Sequence, residues 1–353
     1  MLDTEAHQTG QKVSFGAGIR RSARKATLEA GANRVLVLTT PQQSDLGLEV
    51  AESLGDLAAG IFSKAAMHTP TDITQEALAH YKEAGANAVL AAGGGSTIGL
   101  GKALALRTSV VQIALPTTYA GSECTPILGQ TENGVKTTMK DPALRPGTVL
   151  YDAELVASLP IPMTITSALN AMAHAIEALY APDRSAPSDA LALDGLRAFQ
   201  TSLPLVLQNP SDLKAREDTQ KGAWACGTVL GQVGMALHHK LCHTLGGALN
   251  LPHAETHAII LPHATAFNEP ATQGVLAPVA EMFGGTEAGE ALWSFAKGLG
   301  APTALKDLGV SEADLDHVAE LATKNPYDNP REITREGIRA LLQRAWAGAR
   351  PQS

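Results

Sequence analysis

The chain has 353 residues, 27 Lys+Arg against 35 Asp+Glu, and a formal net charge of −8. Its length suggests about two domains, and 44% hydrophobic with 18% charged residues is ordinary for a globular protein with a large core. No basic stripe or Lys/Arg-rich run is there to attract nucleic acid, and an anionic substrate would need a local cationic pocket against the acidic balance.

In chain order, the opening "MLDTEAHQTGQKVSFG" lacks the apolar stretch of a signal peptide. "NRVLVLTT" (33–40) is a leucine- and valine-rich strand ending in a turn. "LAAGIFSKA" (57–65), "AVLAA" (88–92), "VVQIALPTT" (110–118) and "GTVLYD" (147–152) follow, separated by helical stretches. Apolar strands alternating with helices predict a mainly parallel sheet covered on both faces. After about residue 155 the strand signals fade. "ITSALNAMAHAIEALYA", "APSDALALDGLRAFQTSLPLVLQN", "DLKAREDTQKGAWACGTVLGQ", "EADLDHVAELATKN" and "TREGIRALLQRAWAGA" read as helices, with Ser, Thr, Asp or Pro at their starts and Gly or Asn at their ends. The expected organisation is a Rossmann-like α/β domain over 1–155 and an all-α helical domain over 156–353.

No apolar run is long enough to span a bilayer. The three cysteines, Cys124, Cys226 and Cys242, are odd in number and form no CxxC pair. A disulfide framework is not expected, and a reducing, cytoplasmic location is.

Two polar turns stand at strand ends in the first half. "GGGST" (93–97) follows "AVLAA" directly, and its Gly94, Gly95, Ser96 and Thr97 would bring backbone and hydroxyls close to a phosphate at a helix N-terminus. "LPTTYAGSE" (115–123) adds Thr117, Thr118 and Ser122. Turns at two successive strand ends point to a nucleotide or dinucleotide crevice, although the pattern is not GxGxxG. At the first strand's end Thr39 and Thr40 stand where an acid would bind the ribose 2′-OH of NAD. A 2′-phosphate is not repelled there, so both NADH and NADPH are expected cofactors.

The densest chemistry lies in "ALHHKLCHTLGGALNLPHAETHAIILPHATAFN" (236–268). It holds His238, His239, His243, His253, His257 and His263, and with His174 makes seven of the chain's eleven histidines. A lone histidine is most often a packed or surface residue; six within this span indicate a functional cluster. His239 and His243 share a helix face. Gly246 and Gly247 are expected to break that helix before "LPH" returns the chain with His253. HExxH is absent, which removes the zinc-protease reading.

The order GGGS, PTT-x-x-GSE, a helix with "HAIE", H-x-x-x-H-x-x-GG and "PH" resembles the iron-containing, or group III, alcohol dehydrogenases. The similarity runs from "FGAG" (15–18) to "NPREIT" (329–334). The resemblance implies the dehydroquinate synthase-like architecture, a dinucleotide in the cleft between the two domains, and at least a homodimer. In the family one aspartate and three histidines bind a divalent metal; those positions fall on Asn170, His174, His239 and His253. A further histidine near the nicotinamide falls on His243, and a lysine near the cofactor on Lys136. An amide is a poor substitute for the aspartate, having no charge to offer a cation.

Two further departures are Gly99, where the family commonly has an acid, and the short "TTYAGSE" turn. Together with "LHHKLCHTLGG", they resemble the maleylacetate reductase branch. That branch implies NAD(P)H-dependent reduction of a small dicarboxylate in aromatic degradation, with no required metal. The expected catalytic groups are His243 as first choice of general acid and His253 as second, with His239, His174 and Lys240. Lys140, Arg331, His238 and Asn170 are candidate substrate contacts. A metal-dependent alcohol or aldehyde dehydrogenase and a catalytically inactive nucleotide-binding protein are the alternatives. Metal content with activity after chelation, and turnover on a substrate panel, discriminate them.

Overall fold

The computed structural model describes residues 10–325 and 327–353. By contacts the chain divides into two units, one of Met1–Leu159 with Ser211–Gly231 and the other of Pro160–Pro210 with Gln232–Ser353.

The first unit runs β1 (Lys12–Phe15), α1 (Ala23–Glu29), β2 (Val35–Leu38), α2 (Ser44–Leu54), β3 (Ala58–Phe62), α3 (Thr71–Glu83), β4 (Ala88–Gly93), α4 (Gly95–Ala105), β5 (Val111–Pro116), β6 (Ile127–Glu132), β7 (Val135–Lys140), β8 (Thr148–Tyr151) and α5 (Ala153–Ala157). Six strands form one parallel sheet in the order β1–β8–β5–β4–β2–β3. β2, β4 and β8 are buried along their whole length, as strands covered on both faces must be. All C-terminal ends lie at one edge. The chain leaves β2 toward β3 on one side and β4 toward β5 on the other. The crevice beyond strand ends therefore opens between β2 and β4, where open α/β sheets bind ligands.

The parallel sheet matches the expectation from sequence. Two features went unforeseen, the short edge strand β1 and the antiparallel hairpin of β6 and β7. In that hairpin Asn133 and Gly134 both hold positive φ, so its turn sits in "ENGV".

Helix α8 (Leu213–Gln232) returns from the helical half to the first unit. Its glycines make the approach possible. A Cβ on Gly227 would lie 2.8 Å from the Gly121 Cα, and one on Gly231 3.1 Å from the Cys124 carbonyl. Thr219 donates to the Tyr119 hydroxyl and Gln220 to the Asp152 carbonyl. α8 is thus seated on the second polar turn.

The second unit is helical: α6 (Ile161–Leu179), α7 (Ala186–Gln208), α9 (Leu237–Leu249), α10 (His253–Asn268), α11 (Ala277–Met282), α12 (Ala288–Gly298), α13 (Asp314–Thr323) and α14 (Arg335–Ala347). No strand follows Tyr151 among the described residues. α6 is buried from Thr164 to Leu179, and its alanines let α7 and α10 lie close on either side. Leu237, Leu241 and Leu245 of α9 enter a core with Ile259, Ile260 and Ala264 of α10.

One expectation fails in α9. Gly246 and Gly247 do not break the helix, which runs through both to Leu249 and stops at Asn250 in the left-handed region with φ 52°. Helical glycine costs about 1 kcal/mol each against alanine, and the leucine face buried in the core outweighs it. No helix among the described residues is long and apolar enough to cross a membrane.

Candidate active site

In the first unit, three strand ends meet. The Thr117 amide donates to the Gly93 carbonyl at 3.1 Å, joining the first turn to the second. The glycines have no room for side chains. A Cβ at Gly93 would sit 2.3 Å from the Thr97 hydroxyl, and one at Gly94 3.0 Å from the Thr118 methyl. Helix α4 begins at Gly95 without a side-chain cap; the Thr97 and Ile98 amides donate back to the Gly94 carbonyl, and those of Gly95 and Ser96 are the ones placed for a ligand. Thr97 is buried, and its hydroxyl has no hydrogen-bond partner among the described residues. Bare backbone at a helix N-terminus beside an orphaned hydroxyl fits a dinucleotide phosphate. Gln43 donates to the Thr117 hydroxyl at 3.0 Å, and both line a cavity of about 290 Å³ with Asp45 and Glu49.

The candidates here are not equal. Thr39 is fully buried and its hydroxyl is bonded to Ser63 at 2.9 Å, whereas Thr40 is partly exposed beside Gln43. Ser96, Thr118 and Ser122 are partly exposed. Lys140 stands exposed at the end of β7. Lys136 is on the same strand; its side chain lies outside the described residues. Gly99 has a physical reason. A Cβ there would fall 2.5 Å from the Thr69 hydroxyl, and Thr69 is itself held at φ 47°. Thr69 takes the space that a side chain at 99 would need.

In the second unit the histidines assemble around α9. Glu177, one turn beyond His174 on α6, is fully buried. It accepts from the Ala236 amide at 2.9 Å, the His238 amide at 2.7 Å and His239 Nδ1 at 2.6 Å. α9 carries no cap of its own; Glu177 supplies the carboxylate that the helix N-terminus favours. The same bond makes His239 a donor through Nδ1. Its buried Nε2 has no partner among the described residues.

The His239 ring stacks on His174 at 5.1 Å between centroids and meets His257 at 5.3 Å and His243 at 6.2 Å. His253 lies 4.2 Å from His257, and His257 is hydrogen-bonded to His238 at 2.9 Å. Six of the seven singled-out histidines thus form one cluster. His263 does not appear among its ring contacts. It is buried farther along α10, where burial pushes its pKa down to about 4. His257 and Glu177 are the cluster members for which sequence reasoning offers no role. The H-x-x-E spacing from His174 and the H-x-x-x-H spacing from His253 were the available signals.

Burial sorts these groups. His174, His238 and His257 are held well below the usual histidine range, first by desolvation and then by neighbouring histidines. They stay neutral near pH 7 and serve as hydrogen-bond donors or acceptors. His243 and His253 are exposed on the chain. Lys240 is turned to the Tyr327 ring, 5.5 Å from its centroid. Tyr327 lines a cavity of about 650 Å³ with Tyr180, Asp183, Met235 and Asn329. Arg331 is engaged elsewhere, donating to the Phe267 carbonyl at 2.9 Å and stacking on that ring. Among the described residues no hydrogen bond or ring contact joins it to the histidine cluster.

The family model for the C-terminal part of the iron-containing alcohol dehydrogenases matches residues 164–346, and that for the iron-containing alcohol dehydrogenase itself matches 10–153. The chain belongs to the iron-containing alcohol dehydrogenase family. Among its relatives in that family, a maleylacetate reductase of Rhizobium sp. (strain MTP-10005) is 56% identical over 97% of both chains. A maleylacetate reductase of Rhodococcus opacus is 47% identical over 96% of this chain and 95% of its own. The crystal structure of maleylacetate reductase from Agrobacterium tumefaciens superposes with a TM-score of 0.95 at 57% identity, covering 97% of each chain. The chain is therefore an oxidoreductase of this family, and it is similar along nearly its whole length to maleylacetate reductases.

Membership raises the question of iron. Asn170 stands one turn before His174, its Oδ1 buried without a partner among the described residues. Glu177 cannot replace the absent acid, because both its oxygens are engaged by α9. A second group, His238, Cys242 and His257, brings ligand-type atoms within 4.8 Å of one another. There the two histidines are hydrogen-bonded together, and burial raises the Cys242 thiol well above its ordinary range, away from the thiolate that metals need. Neither set fits the family's acid-plus-three-histidine metal centre.

Proposed function

We propose that this protein reduces the carbon–carbon double bond of maleylacetate to give 3-oxoadipate, using NADH or NADPH and no metal. A bound dihydronicotinamide supplies the hydride. This hydride adds to the alkene carbon β to the ketone, and the displaced electron pair moves onto the ketone oxygen as an enolate. A proton then enters at the α carbon, so one hydride and one proton are consumed per double bond. The chain's residues must stabilise the enolate, deliver that proton and hold two carboxylates.

An enolate is a weaker base than the alkoxide formed in aldehyde reduction, so hydrogen-bond donors stabilise it without a Lewis acid. Neutral histidines and the Asn170 amide are such donors. The proton falls to His243, with His253 as the second candidate, because the buried histidines are held neutral. Lys240 is a cation one residue from His239.

The observation that carries the reading is Asn170 within an otherwise retained histidine site: every donor position but the anionic one is present. Similarity to maleylacetate reductases points to the same substrate. The test is NADH consumption with maleylacetate beside a panel of simple aldehydes. Turnover of maleylacetate with little on aldehydes is expected; turnover of aldehydes alone would overturn the assignment.

A further inference from the structure

Lys102 lies near the C-terminal end of α4, and its side chain is fully buried. Its Nζ donates to the Ser122 carbonyl at 2.5 Å, the Thr125 hydroxyl at 3.0 Å and the Ile127 carbonyl at 2.8 Å. These acceptors span the segment that leaves the second polar turn and enters β6. An ammonium has three N–H donors, and here each has one oxygen. The other end of the same helix presents the glycine turn.

We propose that Lys102 is a positioning residue for the dinucleotide: it locks the Ser122 turn to the helix whose N-terminus receives the phosphates. It touches no reacting atom. The inference rests on reading the first unit as the dinucleotide-holding one.

The lock is sensitive to protonation. A neutral amine keeps two donors and turns a lone pair toward one of three oxygens. Burial pushes Lys102 down to about 7, opposed by Glu123 and Cys124 and aided by Arg145. Of the groups around it, Cys124 and Tyr151 are raised by burial, and Glu123 is raised from the carboxylate range. Lys102, at about 7, is thus expected to lose its proton within the range from pH 6 to 9. That loss weakens the lock as pH rises.

The experiment is titration of NADH onto the full chain from pH 6 to 9, for wild type, Lys102→Met and Thr125→Val, followed by nucleotide fluorescence. Wild-type Kd should rise roughly tenfold across the range, the effect of about one lost hydrogen bond. Lys102→Met should bind roughly tenfold more weakly at pH 6 and lose the pH dependence. Its kcat at saturating NADH should stay within about threefold of wild type, because Lys102 does not touch the substrate. Thr125→Val removes one acceptor, keeps the side-chain shape, and should move the rise to lower pH; it decides the matter if Lys102→Met does not fold. Wild-type affinity and slope in Lys102→Met, or an unmoved profile in Thr125→Val, would overturn the proposal. Failure of the wild type to bind NADH would instead overturn the reading beneath it.

Discussion

His239 shows how one buried bond defines a side chain's chemistry. Its Nδ1 proton is committed to Glu177 at 2.6 Å, so only Nε2 faces the remaining histidines as an acceptor. His174, His238 and His257 are neutralised by burial, which leaves the exposed His243 and His253 to carry protons. Replacing His243 with alanine should lower kcat by roughly 10²-fold, the usual scale for loss of a general acid. The same substitution at His253 should cost less. Steady-state kinetics at saturating NADH check this, and near-wild-type turnover in the His243 variant would move the role to His253. At this scale the resemblance to the family, more than spacing, makes much of the site readable: it marks Asn170, His174, His239, His243 and His253 as positions. Glu177 is not marked, because a glutamate in an alanine-rich helix looks like any solvated charge until α9 is docked on it. For Arg331, likewise, nothing local reveals that a distant carbonyl, that of Phe267, takes its guanidinium.

The meeting of α6, α9 and α10 buries several neutral imidazoles at once, and this has a consequence for stability. The unfolded chain protonates these rings near 6.5, whereas His263 in the folded chain takes up its proton only at about 4, and His174, His238 and His257 are held well below the ordinary histidine value. Their folded values are depressed, so the unfolded state binds more protons between the two midpoints. Their contribution is complete above pH 6.5 and is lost as pH falls toward and through the folded values. Each such group would contribute a slope of about 1.4 kcal/mol per pH unit. Urea midpoints should therefore drop steeply between pH 6.5 and 5, before most carboxylates titrate; a flat profile would contradict the neutral, buried assignment. Strands β2, β4, β5 and β8 were legible as apolar runs because both sheet faces are covered. The β6–β7 hairpin was not, because its exposed residues carry no apolar run. The glycine pair in α9 misled because its stop signal is weaker than the leucine face that the core buries.

Across the whole molecule, the two units offer different chemistry. The first combines glycines without room for side chains, an uncapped helix N-terminus and an orphaned threonine hydroxyl, which suit a dinucleotide. The second keeps the family's histidines and replaces its acid with an amide. The alternation of apolar strands and helices was enough to read the architecture. The return of α8 to the first unit was not readable, since its composition matches the helices on either side and only the close fit of Gly227 and Gly231 explains it. On the function proposed above, this family scaffold reduces an activated alkene without the family's metal. The direct measurement is NADH-dependent turnover of maleylacetate by protein stripped with a strong chelator and shown by elemental analysis to be metal-free. The stripped protein should keep the rate of the untreated one; loss of activity that returns with Fe²⁺ or Zn²⁺ would show that a metal is required.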